Sequence, residues 1–218
     1  INVSTKTTGG ITKDATGAET YGTITTVTES PVRPGLLWVG TDDGNVWLTR
    51  NDGATWESVT GRFPGLPPKA WVTRVEASNF DTATVYVTFD RHQDDDFRPF
   101  VYVSNDFGKT FRAITRGLPS DVPSAFVHVI REDPRNRDLL FLGTDAAAYV
   151  SVDRGATWQR FMTGMPTVPV HDLKIHPRDR EIIAATHGRS LWIADVAALE
   201  DIAGARGDSL RGKAAHLF

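Results

Sequence analysis

One eight-residue pattern occurs three times in this 218-residue chain and constrains its fold more than any other feature. The copies are TRNDGATW at 49–56, SNDFGKTF at 104–111 and SVDRGATW at 151–158. Asp or Asn at the third position accepts hydrogen bonds from backbone N–H groups two residues on, and Gly at the fifth adopts positive φ without a Cβ penalty. Each copy therefore predicts a hairpin turn whose final aromatic residue packs between sheets. The residues with this structural role are Asn51, Gly53, Trp56, Asp106, Gly108, Phe111, Asp153, Gly155 and Trp158.

Four short extended segments surround these turns in a constant order, which we label A to D. They are rich in Val, Thr, Ile and aromatic residues, as β-strands are. Segment A covers 23–29, 72–77, 126–132 and 171–176; B covers 36–41, 84–89, 139–144 and 182–187; C covers 45–49, 100–104, 148–152 and 190–194; D covers 55–60, 110–115 and 157–162. Four strands repeated every ~50 residues are typical of propeller blades. The sequence thus predicts an all-β fold, a β-propeller with about four four-stranded antiparallel blades.

The last unit lacks segment D, because the residues after Ile193 do not place Gly and an aromatic residue as a fourth turn requires. We expect an irregular segment over 1–20, blades over 21–66, 67–120, 121–167 and 168–196, and a linker or short helix over 197–218. Since propellers avoid open sheet edges by closing into a ring, we expect this ring to be incomplete. The remaining blades of a parent propeller, another copy of the chain or another protein subunit would then cover its ends.

Composition excludes several classes of function. The 24 Lys and Arg and 27 Asp and Glu residues are scattered and give a net charge of −3, so nucleic acid is not an expected partner. No apolar run reaches the ~18 residues of a membrane-spanning helix, so direct membrane insertion is not expected. Cysteine is absent, which excludes disulfides and thiolate metal sites. The chain does not begin with Met or a signal segment, and we expect it to begin inside a longer gene product.

The repeated turn is similar to the Asp-box, or BNR repeat, with Asn51 in place of Asp in the first copy. The stretches GLLWVGTDDGNVWLTRNDGATW, FDRHQDDDFRPFVYVSNDFGKTF, VIREDPRNRDLLFLGTD and ATHGRSLWIADV resemble the C-terminal blades of large bacterial sortilin-type BNR propellers, over about residues 17–196. That family is often labelled "glycosyl hydrolase", and Asp-boxes also occur in sialidases and xyloglucanases. The resemblance implies part of an exported protein, periplasmic or extracellular, whose propeller has more than these blades.

Candidate functional residues lie on the B-to-C connections, which in a propeller surround the mouth of the central channel. Tyr86 to Tyr102 spans 16 positions, whereas the equivalent spans in the other units are 8 or 9, so segment 90–99 is a polar insertion. Polar insertions on a rigid scaffold often bind ligands. The candidate ligand- or partner-binding residues are Asp42, Asp43, Arg91, His92, Asp95, Asp96, Arg98, Asp145, His187 and Arg189. The alternative is a solvated loop in which Arg91 and Arg98 neutralise the neighbouring Asp residues.

The sequence does not decide whether the protein is an enzyme, but it favours a scaffold without catalytic activity. Asp42 or Asp43 with Asp95 or Asp96 would supply two carboxyl groups for glycoside hydrolysis, whereas the Tyr residues of the strands are expected to be core rather than a sialidase nucleophile. We therefore favour a non-catalytic scaffold that binds protein or peptide, with a BNR-type glycoside hydrolase as the alternative, and we assign no catalytic residue.

No cofactor and no metal site is assigned from the sequence. Ca²⁺ at Asp94–Asp96 is a weaker alternative, since hard cations take carboxylate oxygens but the spacing matches no EF-hand. His92 and His187 lack a third zinc ligand of known proximity. His128 and His171, in segment A, are expected to line the channel or the core.

Overall fold

The computed structural model describes residues 22–120, 122–161 and 164–204, which form four antiparallel sheets followed by one short helix. Each sheet uses strands that are consecutive in sequence, which confirms the all-β blade architecture. The strands are β1 (Ile24–Glu29), β2 (Leu37–Thr41), β3 (Val46–Thr49) and β4 (Glu57–Ser58); β5 (Trp71–Ala77), β6 (Val85–Arg91), β7 (Asp96–Ser104) and β8 (Arg112–Ala113); β9 (Val127–Glu132), β10 (Leu140–Thr144), β11 (Ala148–Ser151) and β12 (Gln159–Phe161); β13 (Val170–His176), β14 (Glu181–Thr186) and β15 (Leu191–Asp195). We number these sheets as blades one to four. Among the described residues, blade four has three strands and no outer one.

Three hydrophobic cores hold the blades together, one between each pair of neighbours. Side chains alternate between the two faces of a strand, so a sheet between two others buries apolar residues on both sides. In β6, Phe89 lies in the core shared with blade one and Tyr86 lies in the core shared with blade three. Phe141 and Leu173 belong to the core between blades three and four.

The blades form an open arc. The inner strands β1, β5, β9 and β13 pack against one another in that order. Within the described part of the chain, no comparable packing joins β13 back to β1. The two end blades therefore each keep one face without a neighbouring blade.

The hydrogen bonds of the Asp-box turns follow one scheme. In the turn of blade three, the Ser151 hydroxyl accepts a bond from the Gly155 N–H at 2.8 Å and donates to Asp153 at 2.7 Å. Asp153 accepts from the backbone N–H of Thr157 at 2.8 Å and from its hydroxyl at 2.5 Å. The side chain thus reaches four residues along the chain, not the two expected from the sequence, because the residue before each Gly is also left-handed (Arg154, φ 58°) and lengthens the turn.

The eighth-position aromatic residues differ in burial. Phe111 and Trp158 are buried, as expected. The Trp158 indole N–H donates to the Ile114 carbonyl of blade two at 2.7 Å, so the box aromatic packs against the preceding blade. The expectation for Trp56 was wrong, since it is 44% exposed. It lies in blade one, which has no preceding blade in the described ranges.

A short helix follows the last strand and packs against blade three. Helix α1 (Ala197–Ile202) brings the Glu200 carbonyl to the Asn136 amide at 2.6 Å, and the Gly204 N–H to the Val152 carbonyl at 2.8 Å. The expected irregular segment 1–20 and the rest of the expected linker, 205–218, lie outside the described residues. No described helix has the length and apolar character to cross a bilayer.

Candidate functional site

The connections expected to carry function all lie at one end of the blades. Turns between successive antiparallel strands alternate between the two ends of a sheet. The B-to-C turns (β2–β3, β6–β7, β10–β11 and β14–β15) therefore share one end, and the Asp-boxes lie at the other. We call the B-to-C end the mouth end.

A line of aromatic and imidazole rings crosses the mouth end from blade two to blade four. The His92 ring stacks on Phe126 with ring centroids 4.9 Å apart, and Phe126 meets His128 edge-on at 5.2 Å. His128 stacks on His171 at 4.3 Å, and His171 lies 5.1 Å from His187. We name these five residues the aromatic row.

Strand geometry explains why the row forms. His128 and His171 occupy equivalent positions on the inner strands β9 and β13, each six residues before the Pro of the following turn. His187 and Asp145 come from the neighbouring B-to-C turns. Adjacent inner strands thus place equivalent side chains next to one another. The shared spacing before Pro134 and Pro177 was the signal in the sequence for this pairing.

Asp145 and two imidazoles form a compact cluster within the row. The Asp145 carboxylate lies 3.1 Å from Nε2 of His128. One ligand-type atom from each of His128, Asp145 and His171 lies within 4.8 Å of the other two. Burial lowers the pKa of His171, the nearby His128 and His187 rings add to that effect, and Asp145 opposes it. These effects favour the neutral form of His171, whose ring carries a free nitrogen lone pair.

The insertion at 90–99 extends a hairpin rather than forming the expected loop. Asp90 and Arg91 end β6, a single 3-10 turn spans His92–Asp94, and β7 begins at Asp96. Cross-strand pairing of Arg91 with Asp96 continues the sheet, so the extra residues lengthen two strands.

Arginines pair with two of the four carboxylates in this insertion, Asp94 and Asp96. Arg98 donates to Asp96 through Nε at 2.8 Å and Nη2 at 2.7 Å, and its side chain is otherwise exposed. Arg91 pairs with Asp94 at 3.1 Å and also donates to the Pro68 carbonyl. This arrangement matches the alternative of charge neutralisation and leaves these carboxylates poorly placed to hold Ca²⁺.

The remaining candidates are spread over the mouth end. Asp42 accepts bonds from the backbone N–H groups of Gly22 and Thr23 at 2.7 and 2.9 Å, and Asp43 accepts from the Thr41 hydroxyl at 2.5 Å. Asp42 thus ties the β2–β3 turn to the segment before β1, and Asp43 fixes its own turn. Exposed side chains without such a role remain at Asp95, which ends the 3-10 turn, and at Arg189 beside His187.

Solved structures with the same architecture support this description. No protein-family model and no curated protein matches the sequence. The model is similar to a GH74 xyloglucanase from Xanthomonas campestris, with a TM-score of 0.61, 15% identity and coverage of 81% of this chain and 30% of that one. It is similar to YCF48 bound to D1 peptide, with a TM-score of 0.57, 18% identity and coverage of 80% and 50%. It is also similar to the extracellular domain of a B. thetaiotaomicron protein, with a TM-score of 0.54, 16% identity and coverage of 74% of this chain and 20% of that one. The chain has a β-propeller fold.

The propeller described here spans less than a third of the GH74 chain it matches. At such low identity the likeness concerns the fold alone, and the same fold supports both enzymes and binding proteins. The geometry of the mouth end is therefore what distinguishes an enzyme from a binding protein for this chain.

The cleft that holds Asp42 does not offer the space that a glycosidase site needs. The cleft that brings Asp42 and Asp94 together has a volume of about 20 Å³, whereas pockets for small molecules hold about 300–1,000 Å³. Hydrogen bonds from Arg98 lower the pKa of Asp96, which is opposite to the shift a general acid needs. The sialidase alternative also lacks a reachable nucleophile here, since Tyr86, Tyr102 and Tyr149 are all buried.

Proposed function

We propose that this propeller binds a protein or peptide at its mouth end and does not catalyse a reaction. The observation that carries the proposal is the aromatic row, which crosses three blades at the mouth end. Aromatic residues are enriched at protein interfaces because they offer a large apolar area together with a polar edge. Trp71 extends this surface, with 39% of the residue exposed beside His92.

We further propose that the chain forms part of an exported, sortilin-like BNR propeller protein. The three Asp-box turns and the resemblance of the blade sequences support this assignment. Partners of the end blades would be the remaining blades of the parent propeller, then a second copy of the chain, then another subunit. YCF48, whose fold is similar, was solved with a bound peptide, and this supports peptide binding as a role for the propeller.

A glycoside hydrolase of the BNR type is the second candidate. Its support is the similarity in fold to GH74 enzymes. It would need further blades to build a groove around the carboxylates of this chain, because the cleft at Asp42 is too small for a sugar ring.

Selection from a displayed peptide library against the 218-residue chain tests the binding proposal. We expect enriched peptides to bind with micromolar affinity and to lose at least about tenfold in Trp71→Ala and His92→Ala, as hot-spot residues do. Arg178→Ala is the matched control at the Asp-box end and should bind normally. Absence of enrichment, together with release of reducing ends from xyloglucan, would favour the hydrolase instead.

The Arg98→Ala variant tests whether the insertion at 90–99 takes part in this binding. We expect weaker binding of the selected peptides and an almost unchanged melting temperature, because exposed charge pairs contribute only about 0–1 kcal/mol. Isothermal titration and thermal scans of the same samples measure both quantities. A large fall in melting temperature would show that the Arg98–Asp96 pair is a structural tie.

A further inference from the structure

We propose that His128, Asp145 and His171 bind a divalent transition metal ion, with Zn²⁺ as the best-suited ion. Imidazole nitrogen and carboxylate oxygen are both common zinc ligands, and two His with one carboxylate is an established ligand set. Mixed ligands of this kind suit Zn²⁺ better than Ca²⁺ or Mg²⁺, which take oxygen ligands. The site goes beyond the proposed peptide binding and does not depend on it.

The three ligands stand on β-sheet elements of two blades. His128 lies in β9 and His171 in β13, and each sits at a register shift where both of its neighbours in the strand are paired with the next strand. Asp145 directly follows β10, and its backbone N–H donates to the Phe126 carbonyl at 3.2 Å. Ligands positioned by a rigid backbone reduce the conformational entropy lost when an ion binds.

The spacing of the ligand atoms is close to that of a metal centre. Zinc–nitrogen bonds of about 2.0–2.1 Å place tetrahedral ligand atoms about 3.3 Å apart. The candidate atoms lie within 4.8 Å of one another, and His128 and Asp145 are already 3.1 Å apart. The closing movement required at His171 is therefore at most about 1.5 Å, and this residue is exposed.

A fourth ligand could approach such a centre from its exposed side. The His187 ring lies 5.1 Å from the His171 ring, at the exposed side of the cluster. A fourth position would thus be taken by His187 or by water. An ion held there would link the mouth ends of blades three and four.

Titration of the metal-free, full 218-residue chain with Zn²⁺ tests the proposal. Calorimetry should show one ion per chain with a dissociation constant in the micromolar range or below, and Co²⁺ should give the intense visible absorption of a four-coordinate site. His128→Gln, His171→Gln and Asp145→Asn should each weaken Zn²⁺ binding at least about tenfold, since even the partners of metal ligands cost 10–100-fold. Asp145→Asn preserves side-chain shape, so its effect does not depend on a change in packing.

His176→Gln is the matched control. His176 lies at the opposite end of the same strand and also has a carboxylate neighbour, with Nδ1 3.3 Å from Asp179. This variant should bind Zn²⁺ as the wild type does, and Zn²⁺ should raise the melting temperature of both proteins. The proposal is overturned if Zn²⁺ does not bind, or if the three ligand variants retain wild-type affinity while circular dichroism shows them folded.

Discussion

The aromatic residues of the three Asp-boxes occupy equivalent sequence positions but differ in their surroundings. The turn could be predicted from its eight residues, because its hydrogen bonds lie within the turn itself. The burial of the aromatic residue could not, because it depends on whether another blade precedes. Trp158 contacts the core between blades two and three, whereas Trp56 is nearly half exposed.

Replacing the two tryptophans by alanine should therefore have unequal effects. Trp158→Ala is expected to lower the free energy of unfolding by about 3–5 kcal/mol, the cost of a large cavity. Trp56→Ala should change it by about 0.5 kcal/mol or less, as surface substitutions do. Urea denaturation followed by circular dichroism gives both values. Equal losses would show that a part of the chain outside the described residues covers Trp56.

Asp106 should make the stability of the propeller depend on pH. Partial burial opposes ionisation, but hydrogen bonds from Thr110 and Ser104 outweigh it and lower the pKa of Asp106 to about 2. The unfolded value is about 3.9, so the ionised form stabilises the fold above pH ~4, and this contribution is lost as pH falls towards 2. Asp106→Asn should cost at most about 1 kcal/mol at pH 7, because the group is partly exposed.

Denaturation curves of Asp106→Asn and wild type from pH 7 to pH 2 measure this effect. The difference between the two proteins should shrink as the pH is lowered. Blade one offers a natural comparison, because Asn51 already replaces Asp there and accepts the Thr55 N–H at 3.0 Å. A difference that grows at low pH would contradict the assigned sign.

The inner strands are joined by a charged network that links three blades. Arg131 on β9 donates to Glu76 of β5 and to Asp172 of β13, each at 2.8 Å. Its Nε also donates to the Leu173 carbonyl at 2.8 Å. Burial raises the pKa of Glu76 although Arg131 opposes the shift. Arg131 is therefore a counter-charge that favours the ionised form of Glu76 inside the arc.

Arg131→Met should be strongly destabilising. Removing one partner of a buried ion pair leaves the other charge uncompensated and typically costs about 3–5 kcal/mol. Arg178→Met is the control, since the Arg178–Asp179 pair is exposed and its loss should leave the stability almost unchanged. Chemical denaturation compares the two. A loss below 1 kcal/mol for Arg131→Met would show that water, not protein, compensates Glu76.

Strand order and the two ends of the sheets were accessible from the sequence, but the grouping of side chains from different blades was not. Segments A to C were recognisable by their Val, Thr and aromatic residues, and their order placed the B-to-C turns together. The insertion at 90–99 was polar in sequence, yet cross-strand pairing made it a hairpin. His128 and His171 lie together because the adjacent inner strands β9 and β13 place equivalent positions side by side, which requires knowing how blades pack.

As a whole, the molecule is an arc whose two outer faces carry apolar side chains. Val27 is 57% exposed on blade one, and Leu191 and Ile193 are 65% and 62% exposed on blade four. Strand β15 is also the unpaired edge of its sheet in the described chain. Exposed apolar surface next to an open strand edge favours association. The arc is therefore expected to be covered by further blades or by another chain.

Light scattering of the purified 218-residue chain over a range of concentrations tests this central claim most directly. We expect a mass above that of one chain at micromolar concentrations, and a shift towards one chain in the double variant Leu191→Lys, Ile193→Lys. Val32→Lys, an exposed apolar residue in the β1–β2 turn, is the control and should behave as wild type. A single-chain mass at every concentration, with Ile193 protected from solvent, would contradict the open arc and would indicate that residues 1–20 complete blade four.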